Sequence, residues 1–168
     1  MNQKAIDYAA DSAVMQTYGR AEIGFVRGEG SWLESESGDK YLDCASGIAV
    51  NTLGHSHPHL VAALTEQAGK LWHTSNLYRI PGQEIVAKML ASLSGLDQVF
   101  FCNSGAEATE AAVKIARRAA YEKGEPERMT ILCATGAFHG RTLGMLAATD
   151  RPVFRTGFGP MPAGFDHV

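Results

Sequence analysis

The feature that most constrains this chain is a four-residue apolar run, Val99-Phe100-Phe101-Cys102. It leads through Asn103-Ser104-Gly105 into a long alanine-rich segment and then to a second apolar run, Met129-Thr130-Ile131-Leu132-Cys133. Apolar runs this short make strands, while the segment between them is long enough for several helical turns. Strand, tight loop, helix and strand in that order predict a parallel pair joined by a right-handed crossover. The helix is well specified. Ser104-Gly105-Ala106-Glu107 has the spacing of a capping box, and Glu110 stands four residues before Lys114. Lys114, Arg117, Arg118 and Lys123 lie towards its far end, and Gly124 and Pro126 stop it. The fold class that follows is α/β.

Upstream, residues 22–43 alternate short apolar bursts with glycine turns at Gly28-Glu29-Gly30 and Ser37-Gly38-Asp39-Lys40, which predicts a meander of short strands. Pro58 sits where the first turn of a helix tolerates it, and Leu60, Val61, Leu64, Ala68 and Leu71 recur at helical spacing, so a helix is predicted to about Leu71. A second helix opens near Pro81, uses Ile85, Val86, Met89, Leu90 and Leu93, and stops at Ser94-Gly95. After the second apolar run come a loop, Ala134 to Arg141, and a short helix from Thr142 to about Ala148. The tail from Arg151, rich in glycine and proline, reads as loop.

Composition narrows the function classes. The net charge of −3 comes from scattered residues, with no basic stripe of the kind nucleic-acid binding requires. No run of about 18 apolar residues occurs, so no membrane span is expected, and the chain reads as cytoplasmic. Cys44, Cys102 and Cys133 suit reduced thiols, with Cys102 and Cys133 expected in the core. His55-x-His57-x-His59 has a metal site's composition without its further ligands, so no metal is expected. Gly28-x-Gly30 lacks the third glycine of a dinucleotide fingerprint.

Two loops carry chemistry, because ligands of parallel sheets bind beyond the carboxyl ends of the strands. At Asn103-Ser104-Gly105-Ala106, Ser104 either simply caps the helix or belongs to a turn whose free amides and helix dipole hold a phosphate. At Gly136-Ala137-Phe138-His139-Gly140-Arg141-Thr142, an aromatic ring, an imidazole and a guanidinium gather at a strand's end. Phe138 is suited to lie against a flat heteroaromatic ring and Arg141 to grip a carboxylate through paired hydrogen bonds. Taken singly, each also reads as an ordinary structural residue.

Taken together, Asn103-Ser104-Gly105-Ala106-Glu107-Ala108 and Gly136-Ala137-Phe138-His139-Gly140-Arg141-Thr142 resemble the class III pyridoxal-phosphate-dependent aminotransferases. Phe25-Val26-Arg27-Gly28-Glu29-Gly30, Gly47-Ile48-Ala49-Val50-Asn51, Leu53-Gly54-His55-Ser56-His57-Pro58 and His73-Thr74-Ser75-Asn76-Leu77-Tyr78 resemble the acetylornithine branch of that family. The resemblance implies fold type I. Residues 1–55 would then contribute to the small domain, and 56–168 would begin the large, mainly parallel cofactor-binding domain, left incomplete. It also implies roles. Ser104, Gly105 and Ala106 match the cofactor's phosphate loop, Phe138 the residue stacked on its pyridine ring, and His139 an adjoining cofactor-side residue. Arg141 matches the arginine that receives the substrate carboxylate. Tyr18 falls in a region that lines the substrate entrance in relatives, and His73 to Tyr78 in one near a subunit interface. Thr109 stands where asparagine is common in the branch.

The activity implied is transfer of the terminal amino group of N-acetylornithine to 2-oxoglutarate, in arginine biosynthesis. The cofactor would be pyridoxal 5'-phosphate, and the assembly a homodimer with shared active sites. Transamination also needs a lysine to hold the cofactor and an acid at its ring nitrogen. Neither is recognisable, since Lys4, Lys40, Lys70, Lys88, Lys114 and Lys123 match no such position. The chain therefore reads as an inactive N-terminal fragment of a longer enzyme. Ornithine, succinylornithine and 4-aminobutyrate aminotransferases remain open alternatives, as does a truncated, non-catalytic protein.

Overall fold

Short strands punctuated by glycine need tight reversals, and residues 25–42 contain two. The structure, a computed structural model, describes residues 12–168, and the chain forms two units that divide between Tyr78 and Arg79. In the first unit β1 (Phe25–Glu29), β2 (Trp32–Ser35) and β3 (Lys40–Leu42) form an antiparallel sheet in that order, as the meander predicts. The β2–β3 reversal closes on buried Ser35. Its hydroxyl accepts the Asp39 N–H at 3.1 Å, and its own N–H donates to the Asp39 carbonyl at 2.9 Å.

Beyond β3 the backbone winds one turn, α1 (Ser46–Ala49), with φ of +47, +63, +66 and +59° along its four residues. That left-handed sense costs non-glycine residues roughly 1–2 kcal/mol each, so something must hold it. Asp43 does so with both oxygens. Oδ1 accepts the N–H groups of Ala45 and Ser46 at 3.0 and 2.9 Å, and Oδ2 meets His55 Nε2 at 2.8 Å. The other ring nitrogen of His55 lies 2.9 Å from Asn51 Nδ2, and its backbone exchanges hydrogen bonds with Gly30 at 2.7 and 3.0 Å. The first histidine of His55-x-His57-x-His59 is thus occupied in bracing a turn. Helix α2 (Pro58–Ala68) follows, with proline in its first turn. It ends short of the expected Leu71, and the carbonyls of Ala68 and Leu71 are taken by Trp72 Nε1 and Gln67 Nε2 at 2.6 and 2.8 Å.

The second unit begins with α3 (Pro81–Ser94), stopped by Gly95 at φ +72°. Helix α4 (Gly105–Glu122) runs where the sequence placed it. The expected strand at residues 99–102 does not form. No described residue pairs with it, and Cys102, expected in the core, is exposed. The parallel pair lies further on: β4 (Ile131–Cys133) pairs with β5 (Phe165–His167), with α5 (Leu143–Ala148) and α6 (Pro152–Arg155) between them. The tail read as loop therefore holds a helix and a strand. Pro152 in the first turn of α6 was the available signal, and β5 is too short for a period-2 pattern to show.

Arg117 ties α4 to both strands. Its Nε donates to the Met129 carbonyl at 2.9 Å, Nη2 donates to the Gly164 carbonyl at 3.1 Å, and its guanidinium carbon lies 5.2 Å from the centre of the Phe165 ring. Val113, Ile131 and Phe165 pack on buried Cys133, Met145 and Ala148. Elsewhere apolar surface is left open. Among the described residues, α2 and α3 bury none of their side chains, and Leu64 and Leu93 stay 72% and 82% exposed. Faces like these bind other protein surfaces or aggregate. No described helix is long and apolar enough to cross a membrane.

Two expected outcomes follow. The 168-residue chain alone should bind a hydrophobic dye and self-associate; a monodisperse, dye-silent monomer in sedimentation would contradict this. Gly54→Ala should destabilise the first unit more than Gly38→Ala. Both residues have φ above +80° or at it, costing about 1–2 kcal/mol for alanine. Only at Gly54 would the new Cβ also lie 2.7 Å from a backbone oxygen, that of Gly30. Urea titrations of the two variants read the difference.

Candidate functional site

Helix α4 starts at Ser104 because that residue is extended, at φ −155°, and its hydroxyl accepts the Glu107 N–H at 3.2 Å. Glu107 reaches back over the same turn, accepting from the Asn103 N–H at 2.8 Å, Asn103 Nδ2 at 3.2 Å and the Ser104 hydroxyl at 3.1 Å. These hydrogen bonds, that from the Asn103 side chain first, hold its carboxyl below the ordinary glutamate range. Ser104 is therefore a helix cap, and its hydroxyl is committed within the turn.

The amides of Gly105 and Ala106 are placed differently. They have no acceptor among the described residues, and a Cβ at Gly105 would meet nothing within 4 Å. Two open N–H groups at the positive end of an 18-residue helix suit an anion. A phosphate would fit against these amides. Sequence reasoning left Ser104 open between cap and phosphate ligand; the structure shows the cap and leaves the backbone beside it for an anion.

The second loop leaves the carboxyl end of β4 and returns against this turn. Gly140, buried at φ +133°, comes so close to α4 that a Cβ there would lie 3.0 Å from the Ala106 Cβ. Ser104 to Ala106 and Phe138 to Arg141 are thereby neighbours. Phe138 is half-exposed and meets Phe154 of α6 edge to face, with ring centres 5.7 Å apart. The guanidinium carbon of Arg141 lies 4.7 Å from the Phe154 ring centre and 5.9 Å from that of Phe138. This cation is thus steadied by two rings, an arrangement that limits its sweep without removing its charge.

His139 enters mainly through its backbone. Its N–H donates to the hydroxyl of fully buried Thr149 at 3.0 Å, and its carbonyl accepts the Thr109 hydroxyl at 2.8 Å. Its Nε2 is buried without a partner in the described residues, beside a cavity of about 260 Å³ lined by α4, β4 and α5. Tyr18 belongs to the first unit, exposed, with the Arg20 guanidinium carbon 6.0 Å from its ring centre. Sequence reasoning missed Phe154, hidden in the tail read as loop. It also missed the bonds that Thr109, Glu110, Thr142 and Thr149 make to the loop, since single hydroxyls carry no pattern.

The class III aminotransferase family model matches residues 14–168. The chain is 57% identical over 157 residues to the acetylornithine aminotransferase of Mesorhizobium japonicum, covering 94% of this chain and 39% of that protein. It is 55% identical over 159 residues to that of Agrobacterium fabrum, covering 95% and 40%. Among solved structures, ornithine aminotransferase from Toxoplasma gondii superposes with a TM-score of 0.88 at 30% identity, over 93% of this chain and 37% of that one. A second structure of that enzyme, at TM-score 0.90, has PLP at partial occupancy in its active site. An (S)-enantioselective omega-transaminase from Thermomicrobium roseum gives 0.80 at 38% identity, over 87% and 34%. The chain thus spans about two fifths of the length of the curated relatives it matches.

Two outcomes test the turn. Ser104→Ala should cost about 0.5–2 kcal/mol of stability in chemical denaturation, the usual loss for a cap. Because the folded Glu107 carboxyl is held below its ordinary value of 4.5, its contribution is present above that value and lost as pH falls through the depressed one. Glu107→Gln should flatten that acid limb; an unchanged limb in acid titration would remove Glu107 from the turn.

Proposed function

The chain belongs to the class III aminotransferase family, and on that premise we propose that it forms the phosphate- and substrate-carboxylate-binding part of a pyridoxal-phosphate-dependent transaminase. Its amino donor is N-acetylornithine and its acceptor 2-oxoglutarate. The observation that carries this reading is the contact of Gly140 with Ala106. It sets two open amides beside an aromatic ring and an arginine in a single neighbourhood. Identity of 57% to a protein named acetylornithine aminotransferase, against 30% to the ornithine enzyme, favours the acetylated donor.

When bound, the cofactor supplies an electron sink for the carbon that loses or gains the amino group. The chain's own residues do the rest of the binding proposed here. The Gly105 and Ala106 amides hold the phosphate, with Ser104 fixing the turn that presents them. Phe138 offers a ring face to the pyridine, and Arg141, steadied by Phe138 and Phe154, pairs with the substrate carboxylate. His139 acts as a neighbour that shapes the loop. Tyr18 is assigned to the substrate entrance. The lysine that holds the cofactor and the acid at its ring nitrogen are assigned to parts of the protein outside this span. The assembly is assigned as a homodimer with shared sites, for which the open apolar faces of α2 and α3 offer surface to cover, and the compartment as the cytoplasm. The division at 55/56 is likewise proposed as the boundary between small and large domains.

The test uses the complete protein reconstituted with pyridoxal phosphate. Transamination of N-acetylornithine, preferred over ornithine, succinylornithine and 4-aminobutyrate, is the expected result. Arg141→Ala should weaken donor binding by about 1.5–3 kcal/mol, read as a KM raised roughly ten- to hundredfold. An unchanged KM would remove Arg141 from the site.

A further inference from the structure

Two bonds of long sequence separation join α4 to the Gly136–Thr142 loop. The Thr109 hydroxyl lies 2.8 Å from the His139 carbonyl, closer than to the carbonyls of its own helix, Gly105 at 3.1 Å and Ala106 at 3.0 Å. Its one proton is shared among three carbonyls, of which the loop's is the nearest. One residue on, Glu110 Oε1 accepts the Thr142 hydroxyl at 2.5 Å. That hydroxyl in turn accepts the Met145 N–H at 3.2 Å, so the carboxylate, the hydroxyl and the first turn of α5 form one chain of bonds. Glu110 has room to do this because position 144 carries no side chain. A Cβ there would stand 2.7 Å from Glu110 Oε1 and 3.2 Å from both Cδ and Oε2.

His139 and Thr142 bracket Gly140 and Arg141, while Thr109 and Glu110 lie one helical turn beyond Gly105 and Ala106. The two bonds therefore fix where the loop sits along the axis of α4. We propose that Thr109 and Glu110 are positioning residues, which clasp the loop bearing Phe138 and Arg141 in register with the amides of Gly105 and Ala106, so that one substrate-loaded cofactor meets both. This rests on the transaminase reading above. Neither residue touches cofactor or substrate in this scheme; each acts through the loop.

Gly144→Ala in the complete protein gives the sharpest test. Alanine favours the helix that Gly144 occupies, so α5 should be at least as stable. The new methyl displaces only the far end of the Glu110 side chain, and with it the bond to Thr142. The expected result is an unchanged or raised melting temperature of the apo-protein. Alongside it we expect about a three- to tenfold weaker dissociation constant for pyridoxal phosphate, titrated by absorbance, and a KM for N-acetylornithine raised by a similar factor. Thr109→Val should repeat both binding losses, and Thr109→Ser, which keeps the hydroxyl, should restore them.

Wild-type cofactor affinity and KM in Gly144→Ala and Thr109→Val would overturn the clasp. So would losses that merely track a lowered melting temperature. Failure of the wild-type protein to bind pyridoxal phosphate or to transaminate would instead overturn the reading on which the clasp depends.

Discussion

How closely the Gly136–Thr142 loop can lie against the start of α4 is set by the bare backbone at position 140. Gly140 is buried with φ at +133°, a conformation side chains rarely adopt, and a Cβ would press at 3.0 to 3.2 Å on Ala106 and Met145. Two requirements meet at this residue, torsional and steric, and only glycine satisfies both. From that contact the remaining geometry follows. The open amides of Gly105 and Ala106 belong to the α4 side of this contact, and Phe138 and Arg141 to the loop side.

A close approach does not by itself hold a loop still. The loop is tied on a second side as well. Gly136 N–H donates to Asp150 Oδ2 at 3.1 Å, Arg151 Nε donates to the Gly136 carbonyl at 3.0 Å, and His139 N–H donates to buried Thr149. These bonds come from the exit of α5, whose residues Met145 to Ala148 are buried. The Arg141 guanidinium, 4.7 Å from the Phe154 ring centre and 5.9 Å from that of Phe138, is then presented from a backbone with little freedom, so that a carboxylate partner would lose less entropy on binding.

Legibility from sequence tracked how local each determinant is. Helices α3 and α4 were readable because their starts and stops lie within the segment, at Pro81 and Gly95 and at Ser104 and Gly124. The β1–β3 meander was readable from its turns. Phe138 and Arg141 were readable as a set with Ser104 to Ala106 only through the family resemblance, since each alone has an ordinary structural role. Thr109 is the instructive miss. It reads as a small departure inside a helix, yet its hydroxyl crosses to a carbonyl thirty positions away. Nothing in its neighbours announces that. Phe154 was missed for a related reason: a four-residue helix offers no period to detect.

The run at Val99–Cys102 shows the opposite failure, and it separates what this span builds by itself from what it does not. A helix satisfies its own backbone except at its ends, so α4 forms from its local sequence. A strand exists only as half of a ladder, and an apolar run without a described neighbour stays unpaired however strong its preference. Among the described residues β4 is paired along one edge, with β5. Yet the loops at the two ends of this broken pattern are formed, because Ser104, Thr109, Glu110 and Thr149 bond them to helices rather than to the sheet. Organisation of the binding loops is thus separable from completion of the sheet. The register of the two loops with each other is carried by α4, through Thr109 and Glu110, and not by the sheet.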